Sequence, residues 1–192
     1  NGYRRLESSP ADYTRSILFL KNDYWIMRDF VKTVGEHDYQ QNFHFNTETN
    51  PSIENIENGR WCVNEMPTEK VGVRLFTFGD KGSWQRKESW ISNCYGERTN
   101  APFLRYISKG IGPQEFFTFM LPAEKGFAKP EVFETEIIGG RAFVVKYRDY
   151  KDVLVFADGE QIVRTELFNT NFHFLWARLG NDDKLPQEFV LI

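Results

Sequence analysis

The chain of 192 residues carries a formal net charge of −3 and has an isoelectric point of about 5.7. It therefore lacks the basic excess expected of a nucleic-acid-binding protein, and an anionic ligand would have to be met by a local basic patch. No long apolar run and no signal-peptide pattern occurs, so we predict no membrane span. The opening Asn1 to Arg5 resembles the middle of a longer protein, so the missing leader carries no information on export.

The first strand signals are two runs of β-branched, aromatic and large apolar residues, 16–20 and 24–27. The turn-forming triplet 21–23 separates them, which predicts a β-hairpin. Segment 37–45 alternates, and predicts a strand with His37, Tyr39, Phe43 and Phe45 on one face and Asp38, Gln40, Asn42 and His44 on the other. The polar face is either solvated, as in an ordinary antiparallel sheet, or faces a sugar.

Short extended segments separated by turn residues continue along the chain. Asn58-Gly59 predicts a hairpin between residues 53–57 and 61–65. Residues 71–78 are predicted to form a strand, with 83–90 returning beside it. Two more strands, 103–108 and 115–121, follow on either side of a glycine-rich connection.

The last third of the sequence predicts two further hairpins and a central strand. Gly139-Gly140 joins residues 132–138 to 142–147, and Asp158-Gly159 joins 152–156 to 161–165. Strand 172–178 is apolar on both faces, as expected for a central position. With about a dozen strands and no helical period, we predict an all-β fold, an antiparallel two-sheet β-sandwich forming a single domain over residues 1–192.

Several short motifs occur in an order that is itself informative. They are Asp23-Tyr24-Trp25, Asp29, Gly35-Glu36-His37, Phe43-His44-Phe45, Ser92-Asn93-Cys94-Tyr95-Gly96, Asn100-Ala101-Pro102 and Phe117-Thr118-Phe119-Met120-Leu121-Pro122. This series, covering most of the chain, resembles the C-terminal β-sheet domain of the heparinase II/III-like family of polysaccharide lyases. The resemblance implies the C-terminal part of a larger periplasmic or extracellular lyase, which cleaves a uronic-acid-containing polysaccharide such as a glycosaminoglycan by β-elimination.

The same resemblance implies where the chemistry of such a lyase resides. In the family, an Asn or Gln, a His and a Tyr on a preceding helical toroid domain carry out the elimination, and a His-x-His pair begins a metal site. This chain has no His-x-His pair. The resemblance thus implies no catalytic residue, no metal ligand and no cofactor here, and this chain alone is expected to be inactive. The implied partners are an acidic polysaccharide and the toroid of the same protein.

A different functional class also fits the sequence, namely a free-standing carbohydrate-binding or cell-surface adhesion module that shares only the sandwich architecture. In either class, His44 on the polar strand face is a candidate for substrate contact. Trp84, Trp90, Tyr95 and Arg98 lie in or beside turn-rich stretches, where aromatic plates and a guanidinium can meet a sugar acid. Each also fits a structural role, since tryptophan often packs in a core and a lone arginine is often solvated.

The remaining histidines and the cysteines point to structure rather than to a metal site. His37 and His44 are seven residues apart, which places them on opposite faces of a regular strand. His37 and His173 are expected at the edge of the core. Cys62 and Cys94 lack metal-ligand spacing. They are predicted to be buried thiols, or a disulfide if the protein is exported.

Overall fold

The computed structural model describes residues 10–21, 23–56, 60–65, 71–79, 82–124, 128–159 and 162–192. These ranges contain strands and no helix, so the all-β class predicted from the sequence is confirmed, and no helix long and apolar enough to cross a membrane is found in them. The strands are β1 (Ala11–Leu20), β2 (Tyr24–Thr33), β3 (Glu36–His44), β4 (Ser52–Ile56), β5 (Arg60–Glu65), β6 (Val71–Phe78), β7 (Ser83–Ile91), β8 (Thr99–Ile111), β9 (Gln114–Glu124), β10 (Glu131–Thr135), β11 (Gly140–Lys146), β12 (Tyr150–Ala157), β13 (Val163–Arg164), β14 (Asn169–Thr170), β15 (Phe174–Gly180) and β16 (Glu188–Leu191).

The chain divides into two compact units, Asn1–Lys125 and Gly126–Ile192. The first unit contains β1 to β9 and the second contains β10 to β16. The single domain expected from the sequence over residues 1–192 stays a prediction.

The first unit is a sandwich of two antiparallel sheets. One sheet has the strand order β1-β2-β9-β6-β5-β4, and the other has the order β3-β8-β7. Buried side chains from both sheets meet between them in one apolar cluster: Tyr39, Leu75, Trp84, Leu104, Tyr106 and Phe116. The ring centroids of Tyr39 and Phe116 are 5.8 Å apart, so the two sheets are in direct contact through aromatic side chains.

Two neighbouring turns carry the chain from one sheet of the sandwich to the other. Gly35, between β2 and β3, has φ of 85°, and Gly112, between β8 and β9, has φ of 76°. The amide of Gly112 donates to the carbonyl of Gly35 at 2.9 Å, and the Tyr39 hydroxyl donates to the carbonyl of Gly112 at 3.0 Å. These bonds join the two turns, and glycine supplies the left-handed backbone conformation that each turn needs.

Strand β3 has the alternation predicted from the sequence. Tyr39 is buried, whereas Asp38, Gln40, Asn42 and His44 are exposed. Among the described strands it pairs only with β8 and is therefore an edge strand of its sheet. Its inward-facing side differs from expectation at one polar position, because Gln41 is also buried.

Three predicted hairpins are confirmed by the strand pairing. β1 pairs with β2 from Leu20 and Tyr24 outward, and β10 pairs with β11. β4 pairs with β5 from Ile56 and Arg60 outward, although the Asn58-Gly59 turn itself lies outside the described residues.

Two predicted pairings are wrong. Residues 83–91, as β7, pair with β8 and not with β6, because β6 already has β5 and β9 on its two edges. Likewise β12 lies between β11 and β15, so β13 pairs with β14 instead of returning beside β12. In both cases turn-forming residues predict the end of one strand, but the next strand joins a different sheet.

The second unit is built on one antiparallel sheet of order β10-β11-β12-β15-β16, beside the small β13-β14 ribbon. Strand β15 lies between β12 and β16, which confirms its predicted central position. Val153, Val155, Leu175 and Ala177 form the middle of a buried apolar cluster on this sheet. At alternate positions of the same two strands, the Arg178 guanidinium donates two hydrogen bonds of 2.8 Å to the fully buried Asp152 carboxylate.

Candidate functional site

The polar face of β3 continues across β8 and β7 as one surface. His44 lies opposite Phe103, which lies opposite Lys87, and Asn42 lies opposite Arg105, which lies opposite Gln85. Alternate residues of a strand point to opposite faces. Since Trp84 and Leu104 pack between the sheets, the intervening residues face away from the core. We call Asn42, His44, Gln85, Lys87, Phe103 and Arg105 the outer sheet face.

The side chains on the outer sheet face hold one another in place around Phe103. The His44 ring lies 4.6 Å from the Phe103 ring, centroid to centroid, and the Arg105 guanidinium carbon lies 5.1 Å from the same centroid. Arg105 also donates from Nε to Oδ1 of Asn42 at 3.0 Å. Arg105 is therefore oriented by a neutral amide and an aromatic ring, and its charge is not cancelled by a carboxylate in these contacts.

The charge of this surface is opposite to that of the whole chain. Its six residues include two cations, Lys87 and Arg105, and no carboxylate. The acidic side chains of β3 lie further along the strand, where Glu36 forms an ion pair of 3.1 Å with Lys109 and raises the pKa of that lysine. A polyanion would thus meet locally positive charge here, although the net charge of the protein is −3.

The sequence leaves two roles open for Trp84, an exposed aromatic plate and a core residue, and the structure shows the core residue. Its ring is 6% exposed and lies 5.4 Å from Phe43 and 5.5 Å from Tyr106, centroid to centroid. The strand parity of β7 explains this burial, because Trp84 has the inward-facing position. The ring therefore offers little surface to a sugar.

Trp90, Tyr95 and Arg98 form a separate exposed group at the far end of β7. The Arg98 guanidinium carbon lies 4.4 Å from the Trp90 ring centroid, Trp90 is 50% exposed, and Tyr95 is fully exposed. Trp90 has the same parity as Trp84, whereas Lys87 has the parity of the outer sheet face. The structure therefore brings Trp90 and Arg98 together but places them on the side of the sheet opposite to His44.

The cysteines and other histidines differ in part from expectation. Cys94 is an exposed free thiol, so its predicted burial is wrong, and the side chain of Cys62 lies outside the described residues. His37 is half-buried and its Nε2 lies 2.8 Å from Oγ1 of Thr33 and 3.0 Å from the carbonyl of Val34, as expected for a histidine at the core edge. His173 is exposed, which contradicts the core-edge position predicted for it.

A second polar cluster, not anticipated from the sequence, lies inside the first unit where β1, β2 and β3 meet. Asp29 is 2% exposed and accepts hydrogen bonds from Tyr13 at 2.6 Å, from Arg15 at 2.6 and 2.9 Å, and from Gln41 at 2.7 Å. Burial opposes ionisation of Asp29, but the hydrogen bonds from Arg15, Tyr13 and Gln41 outweigh it and lower its pKa below the usual value. The carboxylate therefore stays charged although it is buried.

This cluster lines a concave region that we call the inner cleft, of about 540 Å³. Its lining includes Tyr13, Arg15, Asp29, Val31, His37, Asp38, Tyr39, Gln41, Phe116 and also Asn42 of the outer sheet face. Across all described ranges, no group of three or more His, Cys, Asp or Glu side chains is arranged to hold a metal ion.

Sequence reasoning missed Lys87 and Arg105 on the outer sheet face. The alternation within 83–91 and 99–111 gives the correct parity for both residues. The missing information was the partner of β7. Once β7 is paired with β8 rather than β6, Lys87 and Arg105 fall in the same two rows as His44 and Asn42.

No protein-family model and no curated protein matches this chain. Solved structures do. The heparan sulfate lyase HepC from Pedobacter heparinus superposes with a TM-score of 0.65 at 16% identity, covering 77% of this chain and 24% of that chain. A heparinase III gene product gives 0.58 at 18% identity over 77% and 24%, and its form with methylated lysines gives 0.55 at 15% over 88% and 23%.

The chain thus spans about a quarter of the length of these structures. At such identities the likeness establishes a shared fold. The resemblance to the heparinase II/III-like family, predicted from the ordered motifs, is confirmed at the level of the fold.

Proposed function

We propose that this chain is the non-catalytic β-sheet part of a heparinase II/III-like polysaccharide lyase, and that its outer sheet face contacts an acidic polysaccharide. The observation that carries the proposal is the pair of cross-strand rows His44-Phe103-Lys87 and Asn42-Arg105-Gln85. They combine two cations with amide groups around the Phe103 ring, which is itself buried. The fold shared with a heparan sulfate lyase supports a uronic-acid-containing glycan as the ligand class.

Each type of side chain on this face has a part in binding such a glycan. The Arg105 guanidinium, oriented by Asn42 and Phe103, offers its remaining N–H groups to a carboxylate or sulfate, and its planar donors suit that geometry. Lys87, on the neighbouring strand, supplies a second charge for the next acidic group. His44 and Gln85 offer hydrogen bonds to sugar hydroxyls.

In this proposal, the cleavage chemistry belongs to the rest of the parent protein. A helical toroid would carry the groups that remove the proton and protonate the leaving oxygen, and this chain would support it and extend the substrate surface. The parent protein would work in the periplasm or outside the cell, where such polysaccharides are met. Trp90, Tyr95 and Arg98 remain candidates for a second contact with the glycan.

The test is to measure heparan sulfate binding to the full chain by isothermal titration at low salt. We expect Arg105→Gln and Lys87→Gln each to weaken binding about tenfold, which corresponds to about 1.4 kcal/mol. Both losses should shrink at high salt, because exposed charges are screened.

A matched control is Arg148→Gln, since the Arg148 side chain is 84% exposed and lies in the second unit. It removes the same charge from the chain but leaves the outer sheet face intact. If Arg148→Gln weakens binding equally, the effect comes from the overall charge of the chain, and this would contradict the proposed surface. Unchanged binding in both Arg105→Gln and Lys87→Gln would contradict it as well.

A further inference from the structure

Strand β16 forms one edge of the sheet in the second unit, and its last three residues lack the charges that usually protect such an edge. Among the described strands it pairs only with β15. Edge strands of soluble proteins commonly carry charges or proline that discourage pairing with another chain. The opposite edge strand, β10, has Glu131 and Glu134, whereas β16 has Glu188 at its start and then only apolar residues, 189–191. The free edge of β16 is therefore suited to the addition of another strand.

The backbone groups at this free edge belong to Phe189 and Leu191. Phe174 and Ile192 exchange both of their backbone hydrogen bonds, at 2.9 and 3.0 Å. In an antiparallel ladder, such hydrogen-bonded pairs alternate with pairs that are not hydrogen-bonded. Since Leu191 and Phe189 occupy the alternate positions of β16, they direct their N–H and C=O groups away from β15 and towards the free edge.

The side chains of β16 are apolar and accessible on both faces of the sheet. Phe189 is 61% exposed, Val190 is 40% exposed and Leu191 is 39% exposed. Phe189 and Leu191 border a groove of about 360 Å³, whose described lining has one charged side chain, Lys184, and no carboxylate. Val190 points to the opposite face. A partner strand must therefore offer apolar side chains on both of its faces.

A second copy of β16 meets these requirements. If two β16 strands pair antiparallel about Val190, Phe189 of each copy lies opposite Leu191 of the other, and their outward N–H and C=O groups bond to each other. Val190 of each copy then meets its counterpart on the other face, where the side chains of a non-hydrogen-bonded pair come closest. The same surface is used by both copies, so the contact closes as a dimer.

The acidic side chains do not oppose this pairing. Glu188 is the only charged residue in β16. With Val190 at the centre, the two Glu188 residues are about 13 Å apart along the strands, because a strand rises about 3.3 Å per residue. This separation exceeds the Debye length of about 8 Å at physiological ionic strength, so their repulsion is largely screened.

We propose that two copies of this chain associate by antiparallel pairing of their β16 strands, centred on Val190. The paired segment is short, so the interface belongs to the small, transient class that buries less than about 1,200 Å². We expect a monomer–dimer equilibrium with a Kd in the range of about 10–500 µM. Sedimentation velocity of the full chain, from about 5 µM to about 2 mM, covers this range and measures the equilibrium.

Phe189→Lys and Leu191→Glu are the informative variants, because each places charges within the apolar pairing. We expect each variant alone to weaken association about tenfold or more, while far-UV circular dichroism stays that of the natural chain. Ile138→Lys is the matched control, since Ile138 is 90% exposed and lies in the second unit outside β16. It adds the same charge as Phe189→Lys and should leave association unchanged.

An equimolar mixture of the two variants tests the register of the pairing. In a mixed dimer, the substituted position 189 of one copy lies opposite the substituted position 191 of the other, and the remaining contact keeps the natural Phe189 and Leu191. Opposite charges that lie directly across from each other on paired strands attract. We expect the mixture to associate to within about threefold of the natural chain, which neither variant does alone.

Three outcomes would overturn the proposal. The first is that the natural chain stays monomeric up to about 2 mM, well above the expected Kd. The second is that Ile138→Lys weakens association as much as Phe189→Lys. The third is that the mixture associates no more tightly than either variant alone. Heparan sulfate binding is measured with other variants, in the first unit, so each of these outcomes leaves that result standing.

Discussion

Asp29 combines deep burial with a retained negative charge. The carboxylate is 2% exposed, and burial by itself raises a carboxyl pKa. Hydrogen bonds from Arg15, Tyr13 and Gln41 nevertheless lower the pKa of Asp29, and the bond to Asp29 raises the pKa of Arg15. Since these partners lie on β1 and β3, one side chain on β2 joins three strands of both sheets.

We expect Asp29→Asn to reduce the free energy of unfolding by about 2–4 kcal/mol near neutral pH, because an amide cannot accept from all three partners. The pKa of Asp29 is lower in the folded than in the unfolded chain, so its stabilising contribution is complete above the unfolded pKa. It is lost as the pH falls through the folded pKa. The difference in free energy of unfolding between the natural chain and the variant should therefore become smaller below about pH 4.

Urea denaturation across this pH range measures the difference in free energy of unfolding between the natural chain and Asp29→Asn. Asp149→Asn is a suitable control, because the Asp149 side chain is 86% exposed and should have little effect at any pH. A gap between the natural chain and Asp29→Asn that stays constant down to low pH would show that ionisation of Asp29 is not the source of the stability.

The partners of Asp29 show which side-chain contacts can be predicted from the sequence and which cannot. The hairpin turn at 21–23 fixes the register in which Arg15 lies opposite Asp29, so this ion pair follows from the turn. An acidic residue between Met27 and Val31 on an otherwise apolar face also signals a buried carboxylate. Gln41 could not be derived, because its contact depends on β3 folding over β2 as part of a second sheet.

Strand β7 shows the corresponding limit at the scale of elements. Its extent and parity follow from alternation, but a turn does not determine which sheet the next strand joins. The chain crosses between sheets after β6, and the edges of β6 are taken by β5 and β9. Pairings between strands distant in sequence are decided by packing of the whole sandwich, which local pattern does not encode.

The backbone requirement of the turn between β2 and β3 can be tested by adding a single methyl group at Gly35. A Cβ at Gly35 would meet no atom within 4 Å, but φ is 85° there. Gly35→Ala should therefore cost about 1–2 kcal/mol through backbone strain alone. In thermal unfolding this corresponds to a fall in Tm of about 2–8 °C.

Gly159→Ala is the matched control for that substitution. Its Cβ would also meet no atom within 4 Å, and its φ lies outside the left-handed region. We expect it to be neutral or slightly stabilising, since it reduces the freedom of the unfolded chain. Equal effects of the two substitutions would contradict a special role for the backbone at Gly35.

At the scale of the whole molecule, the charge of individual surfaces differs from the net charge of the chain. The chain has a net charge of −3, yet the outer sheet face carries two cations and the inner cleft carries one ion pair and a further carboxylate. Net charge argues against nucleic acid as a partner class, but it does not describe either surface. Only the pairing of β8 with both β3 and β7 places Lys87 and Arg105 beside His44.

The proposed division of labour predicts that the full chain alone does not cleave heparan sulfate, chondroitin, hyaluronan or alginate. Elimination needs a base, an acid and a group that stabilises the charge developing on the uronate, all held in one geometry. His44 lies against Phe103 on an exposed sheet face, and a base alone contributes only about 10²- to 10⁴-fold. Enzymes reach about 10⁶-fold or more.

Ultraviolet absorbance of the unsaturated uronate product measures this activity directly, and we expect no sustained increase with any of the four substrates. His173→Ala provides the matched control for His44→Ala, because both histidines are exposed but only His44 lies on the outer sheet face. Turnover that disappears in His44→Ala and persists in His173→Ala would make the outer sheet face a catalytic surface. The chain would then be a lyase in its own right, because one histidine on this face would be the base of the elimination.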